Sequence, residues 1–452
     1  MNIQEFFETN NKVALGFSGG VDSSYLLYAA KEAGADIGAY YVKSQFQPQF
    51  ELDDALKLAE HVGAELKAKR VEVTGQVSST TAYSLSSPAD HWQNDGAGAT
   101  GEEHNLGNRI GADFFVDIRL QDGVKSFLGL EIGYPLASVE NEGAPASSST
   151  MNLQLKEFFI DTNWNNRVYF RTGKQVLKWG RSYYWNPTDL INIEKKDFSD
   201  LDKAREGTYG VKAHLPFGAA KNIYFFLGMD EVAAPQDVSL AGKYEFLVGG
   251  TELAFSAWTK KGFKPVYGFD LSSRLFDLDV RGEMSLASRQ RLDPNSLGGY
   301  RAEEELIPKV SVGFTKKFDH GEIDDRISVT GEFYYNQAGY DVNIFEIQQT
   351  APVEAKKFFL DKYYEPFMTN KYYVAFFTSV NKFIRSELTF NLNGIMNLVD
   401  NSALLTTGVS YRPALADYAI DLNLKAGLGD RYSEATLMGE KFSLALGMNL
   451  FF

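Results

Sequence analysis

The chain has 452 residues, with 45 Lys and Arg against 59 Asp and Glu, so its net charge is −14. This acidic balance argues against nucleic-acid binding, which needs a basic face. The absence of cysteine excludes disulfides, cysteine-ligated metal centres and thiol nucleophiles. No apolar run approaches the roughly 18–20 residues of a transmembrane helix. The N-terminal MNIQEFFETNNK lacks the basic start and apolar stretch of a secretory signal, so we expect no signal peptide.

Residues 1–73 alternate between strand and helix patterns. Short apolar runs at 12–17, 36–42 and 65–73 predict strands, and amphipathic stretches ending at Gly34 and Gly63 predict the helices between them. A β-α-β-α-β order indicates a parallel sheet with right-handed crossovers. We therefore expect a small α/β, Rossmann-like segment at the start of the chain.

The first predicted strand leads directly into the string SGGVDSS at residues 18–24. A glycine-rich turn between strand and helix lets backbone amides approach a phosphate, and hydroxyls add donors. No lysine follows as in a Walker A loop. The alternative is a Gly-Ser turn that only leads into a helix. The string resembles SGGxDS of the PP-loop ATP pyrophosphatases, which implies that the ATP phosphates are bound by Ser18, Gly19, Gly20, Val21, Asp22, Ser23 and Ser24.

The wider segment from KVALGFSGG to AEHVGAELK resembles the start of the LarE-type ATP-dependent sacrificial sulfur transferases. The resemblance implies that ATP, with Mg, binds at the loop, that a substrate carboxylate is adenylated, and that Ser44 lies near the nucleotide. In that family a later cysteine supplies the sulfur. The resemblance ends near Val73, and the chain has no cysteine. We therefore expect a truncated, inactive nucleotide-binding remnant, with no catalytic residues and no protein-ligated metal.

Residues 74–110 are rich in Ser, Thr, Gly and Ala and lack an evident period, which predicts a flexible linker. From 111 to 452 the pattern has period two, in about 16 segments of roughly 8–11 residues separated by turn residues. Such a pattern fits a soluble β-rich protein with one face on a core, or a barrel with one face toward lipid. Strand length favours the outer-membrane barrel.

Aromatic residues support the barrel interpretation. Tyr183–Trp185, Tyr334–Tyr335 and Tyr363–Tyr364 predict interfacial girdles at strand ends. The final Phe452 resembles the terminal aromatic of bacterial outer-membrane proteins, which implies recognition by the barrel-assembly machinery. Residues 172–187, TGKQVLKWGRSYYWNP, resemble the G-(K/R)-Q-x-x-x-W-G strand of porin-like families, and predict either a girdle strand or a substrate site.

If the polar faces point inward, charges of both signs line the lumen and could filter small polar solutes. The alternative is that they form ordinary salt bridges of the wall. The predicted lumen-lining residues are Asp117, Arg119, Glu131, Arg167, Arg171, Asp277, Asp279, Arg281 and Glu283.

The two parts of the chain predict different compartments. We expect a mainly β fold in which a large antiparallel transmembrane barrel follows an incomplete PP-loop segment, as in a fusion or composite. The leading function is a porin-like channel in outer-membrane lipid, which could form a homo-oligomer. The alternatives are an ATP-dependent adenylating enzyme and a soluble β-rich binding protein. Without an export signal, the chain as given is expected to be cytoplasmic or misfolded.

Overall fold

A computed structural model gives the fold of the chain. It describes residues 3, 6–7, 10, 12–41, 49–64, 66–67, 71–86, 103–119, 123–139, 151–177, 179–191, 205–218, 220–230, 232–288, 290–292, 300–302, 307–320, 323–437 and 440–452. Its contacts form two compact units, residues 1–72 with 117–126 and residues 73–116 with 127–452.

The N-terminal unit contains a three-stranded parallel sheet in the order β1-β2-β3. Its core joins the sheet to the helices through Phe17, Leu27, Ala39 and Ala55. The predicted β-α-β-α-β order is therefore present, but the third strand is shorter than the predicted 65–73. The elements are β1 (Lys12–Gly16), α1 (Val21–Glu32), β2 (Asp36–Tyr40), α2 (Gln49–His61) and β3 (Leu66–Lys67).

The rest of the described chain forms a closed antiparallel barrel of eighteen strands, compared with the roughly 16 predicted. A separate antiparallel pair, β15 (Gln290–Leu292) and β16 (Tyr300–Ala302), belongs to the connection between barrel strands β14 and β17. The barrel strands are β4 (Val71–Ser86), β5 (Glu103–Arg119), β6 (Lys125–Val139), β7 (Asn152–Trp164), β8 (Val168–Gln175), β9 (Thr208–Pro216), β10 (Lys221–Gly228), β11 (Ser239–Val248), β12 (Thr251–Lys260), β13 (Val266–Leu275), β14 (Leu278–Ala287), β17 (Ile307–His320), β18 (Ile323–Asn336), β19 (Tyr372–Asn381), β20 (Leu388–Asn397), β21 (Ser402–Tyr411), β22 (Tyr418–Leu428) and β23 (Glu440–Phe451).

The barrel closes where the last strand pairs with the first. β23 runs antiparallel to β4, with Leu450 opposite Val77 and Leu444 opposite Tyr83. The linker prediction is therefore wrong for residues 74–86 and 103–110, which lie in β4 and β5. The small Ser and Thr residues hid the period-two pattern, because the ladder hydrogen bonds of β4 need no large apolar side chains.

The two ends of the barrel differ in the length of their connections. At one end the strands join through short turns such as 165–167, 249–250 and 276–277. At the other end lie long connections, including 176–207 and 337–371. Outer-membrane barrels have short periplasmic turns and longer extracellular loops, so this asymmetry agrees with that architecture.

The two faces of the barrel wall carry different side chains. On β23, alternate residues Leu444, Leu446, Met448 and Leu450 are exposed on the outer face. Polar side chains such as Lys243, Asp270 and Glu283 are buried on the inner face. A soluble sandwich would place its apolar face on a core, so this arrangement opposes the soluble β-rich interpretation.

Two long connections carry short helices that pack together. α3 (Ile344–Ile347) and α4 (Val353–Lys362) belong to the β18–β19 connection, and α5 (Glu434–Leu437) belongs to the β22–β23 connection. Ile344, Phe345, Phe359 and Leu437 form one apolar cluster among them. Within the described residues, no helix is long and apolar enough to cross a membrane.

Candidate functional site

A connecting segment of the chain lies inside the barrel. We call residues 179–190, from the β8–β9 connection, the lumen loop. It contacts inward-facing side chains of β11, β12, β13, β14, β18 and β19. In the ring of eighteen strands, β18 and β19 are eight and nine positions from β8. The loop therefore crosses the lumen to the opposite wall.

The first half of the loop is held by a charged cluster. The Arg181 guanidinium makes ion pairs with Glu245 at 2.9 Å, with Asp270 at 2.7 Å and with Glu252. Lys243 adds a second cation, 3.1 Å from Asp270. Burial by itself lowers the pKa of Arg181, but the carboxylates outweigh burial and raise it. Arg181 therefore stays charged and anchors the loop to three neighbouring strands.

Two wall glutamates hold the loop backbone. Glu283 accepts hydrogen bonds from the backbone N–H groups of Arg181 and Ser182, and from the Thr188 hydroxyl at 2.7 Å. Glu332 accepts from the N–H groups of Tyr183 at 2.7 Å and Trp185 at 2.6 Å. Amide donors satisfy the oxygens of a buried carboxyl group, so both glutamates fix the loop conformation.

Aromatic packing fixes the second half of the loop. Trp185 is fully buried, stacks on Tyr334 with ring centroids 5.3 Å apart, and donates its Nε1–H to the Phe367 carbonyl at 2.9 Å. Tyr364 packs against the Phe345 and Phe359 rings of the helical cluster. The girdle prediction is therefore wrong for Tyr183–Trp185, Tyr334 and Tyr363–Tyr364, because these rings lie in the interior or among the connections.

A neighbouring part of the wall is rich in cations. Arg171 on β8 forms a bidentate pair with Asp161 on β7, at 2.7 and 2.8 Å. Lys212 on β9 lies directly across from Arg171 in the ladder. Lys174 pairs with Glu206, and this contact is the largest cause of a lowered pKa of Glu206. The wall at β7–β9 thus carries charges of both signs, and it lies beside the acidic cluster on β11–β14 in the ring of strands.

The predicted lumen residues divide into wall and turn positions. Arg167 and Asp277 lie in the β7–β8 and β13–β14 turns and are exposed, so their placement on the wall is wrong. Polar alternation cannot reveal where a strand ends, which explains both errors. The predicted residues that do lie on strands are Asp117, Arg119, Glu131, Arg171, Asp279, Arg281 and Glu283.

Several of these wall residues form salt bridges with one another or with neighbours. Asp117 lies 3.2 Å from Arg119 and 2.7 Å from Lys125. Glu131 lies 2.8 Å from Lys156. These contacts are the wall salt bridges that the alternative interpretation of the lumen charges expects, and both interpretations stay predictions.

The sequence analysis missed four acidic residues of the site: Glu245, Glu252, Asp270 and Glu332. Each occupies the polar face of an alternating strand, which is the only signal the sequence carries for them. Their contacts with the lumen loop join residues 64 to 149 positions apart, and no local pattern indicates which segment fills the lumen.

A further buried carboxyl group lies among the long connections. Glu434 accepts hydrogen bonds from the Phe367 N–H at 2.8 Å, the Tyr373 hydroxyl at 2.9 Å and the Asn397 amide at 2.8 Å. Burial and the nearby Asp400 raise its pKa to about 8. Glu434 therefore links α5, the β18–β19 connection and the wall through a carboxyl group that is neutral near pH 7.

In the N-terminal unit, the predicted phosphate loop lies between β1 and α1. Gly19 has a φ of 76°, and Gly20 precedes the first turn of α1, where Val21 and Asp22 lie. The Ser18 and Ser23 hydroxyls are 3.1 Å apart, and the Ser23 and Ser24 hydroxyls donate to the Gly20 carbonyl. Ser44 lies outside the described residues.

No protein-family model and no curated protein matches the chain. Solved structures do match in fold. A BenF-like porin from Pseudomonas fluorescens Pf-5 aligns over 85% of this chain and 98% of its own, with a TM-score of 0.51 and 9% identity. OccAB1 of Acinetobacter baumannii aligns over 84% and 96%, with a TM-score of 0.50 and 10% identity. OccK8 (OprE) of Pseudomonas aeruginosa aligns over 84% and 98%, with a TM-score of 0.50 and 8% identity. At these identities the likeness concerns the fold, and the fold of this chain is that of a porin-like outer-membrane barrel.

Proposed function

We propose that the chain is a passive outer-membrane channel for small polar solutes. The observation that carries the proposal is a charged loop that crosses the lumen of a closed barrel and is fixed to its opposite wall. A loop fixed across the lumen would narrow the pore. Size and charge would then select what passes.

The charge distribution supports a polar solute. Arg171 and Lys212 on β8 and β9, and Glu245 and Glu252 on β11 and β12, give one stretch of the inner wall charges of both signs. A lumen wall with charges of both signs favours polar solutes over apolar ones. Apolar rows such as Leu444–Leu450 face outward and suit contact with lipid.

Single-channel recording in planar bilayers tests this function. We expect stepwise conductance for the intact protein. Glu332→Ala removes the acceptor for three loop amides, so the loop should loosen and the conductance should rise and become noisier. Glu354→Ala, on the exposed face of α4, is the matched control and should leave the conductance unchanged. A protein that inserts but never conducts would contradict the proposal.

We also propose that the barrel-assembly machinery recognises the end of β23. The backbone N–H and C=O of Phe452 both form hydrogen bonds with the backbone of Gly75. This aromatic residue therefore lies at the seam where the barrel closes. We propose that outer-membrane lipid surrounds the barrel and, by analogy with porins, that the chain forms a homo-oligomer.

For the N-terminal unit we propose weak binding of Mg-ATP without catalysis, in a chain that joins two unrelated designs. The observation in favour is the left-handed Gly19 between a parallel strand and a helix, beside three serine hydroxyls. We expect a fluorescent ATP analogue to bind, with affinity reduced by Ser18→Ala. Release of pyrophosphate from ATP with a carboxylate substrate would instead favour the adenylating-enzyme alternative.

A further inference from the structure

Three turns at the short-turn end of the barrel expose large apolar side chains. Phe276, Ile384 and Leu415 are 96%, 79% and 106% exposed. They lie in the β13–β14, β19–β20 and β21–β22 connections, which all open at the same end because the strands alternate in direction. We call these three residues the turn tips.

The backbone at each tip is unfavourable for its residue. The φ angles are 48°, 60° and 66°, in the left-handed region that Gly and Asn adopt most readily. Other turns at this end use the conventional residues, with Asn165 and Asn166 in one and Gly249 and Gly250 in another. Neither backbone conformation nor packing within the described chain therefore explains the apolar side chains.

The surroundings of the tips indicate what covers them. Two of the tips, Phe276 and Leu415, continue an apolar outer surface, since Leu275 and Tyr411 are exposed at the ends of the adjoining strands. Exposed cations flank one of the tips, with Lys382 and Arg385 on either side of Ile384. Apolar side chains flanked by Lys and Arg fit the interface of a bilayer that contains anionic phospholipid.

We propose that the turn tips insert into the interfacial layer of the bilayer leaflet at the short-turn end. The inference rests on the proposed function, because it requires the barrel to lie in a membrane. The tips would extend the lipid-facing surface beyond the strands, and the cations beside Ile384 would meet the phospholipid headgroups. The barrel would thereby be fixed at a defined depth.

The absence of cysteine allows a direct test, because one introduced cysteine is then the only site for a thiol label. Phe276→Cys, Ile384→Cys and Leu415→Cys would each carry a nitroxide, with the protein in vesicles of phosphatidylethanolamine and phosphatidylglycerol. Collision rates with oxygen and with a water-soluble nickel chelate report the depth of each label. We expect all three labels to favour oxygen and to resist the chelate.

Two reference variants separate the possible outcomes. Leu446→Cys, on the outer face of β23, should report the hydrocarbon region, and its exposure to the chelate would mean that the channel proposal itself fails. Gly250→Cys, in a turn without an apolar side chain, should report water. If the label at Leu446 is in the membrane while the labels at the turn tips are in water, the inference is overturned and the channel proposal is unaffected. Equal depth for Gly250 and the tips would also overturn it.

Discussion

Three glutamates, Glu283, Glu332 and Glu434, lie buried in the barrel unit and accept hydrogen bonds from backbone amides. Each amide comes from a connection between strands. A buried carboxyl group that lost these donors would keep oxygens without hydrogen bonds, so the interaction holds carboxyl group and connection together. These buried glutamates therefore hold the connections between strands in place through hydrogen bonds from the backbone amides.

Glu434 makes the stability of the long connections depend on pH. Its folded pKa of about 8 exceeds the usual value of 4.5, so the folded state binds more protons between these pH values. The contribution of Glu434 to the free energy of unfolding is then greatest below about pH 4.5. It declines by up to about 1.4 kcal/mol per pH unit as pH rises toward 8. Glu434→Gln imitates the protonated acid and should abolish this decline.

Hydrogen exchange of the segments 364–373 and 429–437 between pH 5 and 8 measures the effect, after correction for the intrinsic exchange rate. The control Glu346→Gln lies on the exposed side of α3 and should keep the wild-type pH dependence. An unchanged decline in the Glu434 variant would show that another group is responsible.

At the scale of elements, the lumen loop depends on one glycine. Gly180 has a φ of 90°, and a Cβ there would lie 2.9 Å from both carboxylate oxygens of Glu283. The glycine of the WGR string, residues 179–181, therefore allows the loop amides to approach Glu283. The sequence resemblance located this string correctly but predicted a girdle strand or a substrate site, and the structure places it in the lumen.

Gly180→Ala should destabilise the barrel more than a glycine-to-alanine substitution at a position where the added Cβ meets no other atom. The left-handed φ costs about 1 kcal/mol with any Cβ, and displacement of Glu283 adds about 1–3 kcal/mol. Gly218→Ala, with a φ of 68° and no atom within 4 Å of the added Cβ, should show only the first cost. Urea unfolding in detergent, followed by tryptophan fluorescence, compares the two. Equal losses would mean that Glu283 adapts freely.

At the scale of the whole molecule, the strands of the N-terminal sheet pair with one another and, among the described residues, with no barrel strand, and the barrel closes through β23 and β4. Hydrogen bonding therefore gives each part its own complete ladder. We expect deletion of residues 1–69 to leave a barrel that still migrates faster on gels before heating than after. Deletion of residues 440–452 should abolish this shift, because it opens the ladder at β4 and β22. Loss of the heat-dependent change in migration after deletion of residues 1–69 would contradict the independence of the barrel from the N-terminal sheet.

The periodic parts of the fold could be predicted from sequence, and the positions that depend on strand ends could not. Alternation identified the strand that contains Asp279, Arg281 and Glu283, because a period of two is a local property. It misplaced Asp277, which continues the alternation into a turn. It also missed β4, where Ser and Thr replace large apolar residues on a paired strand.

The sequence by itself determined the parallel α/β start, the class of the barrel and the polar character of its inner face. These follow from patterns within a few residues of each other. Only the tertiary structure decided that eighteen strands close, that Trp185 lies in the interior and that Arg181 contacts Glu245, Glu252 and Asp270. The physical reason is that a connection long enough to cross the lumen obeys no period, and its position depends on partners contributed by distant strands.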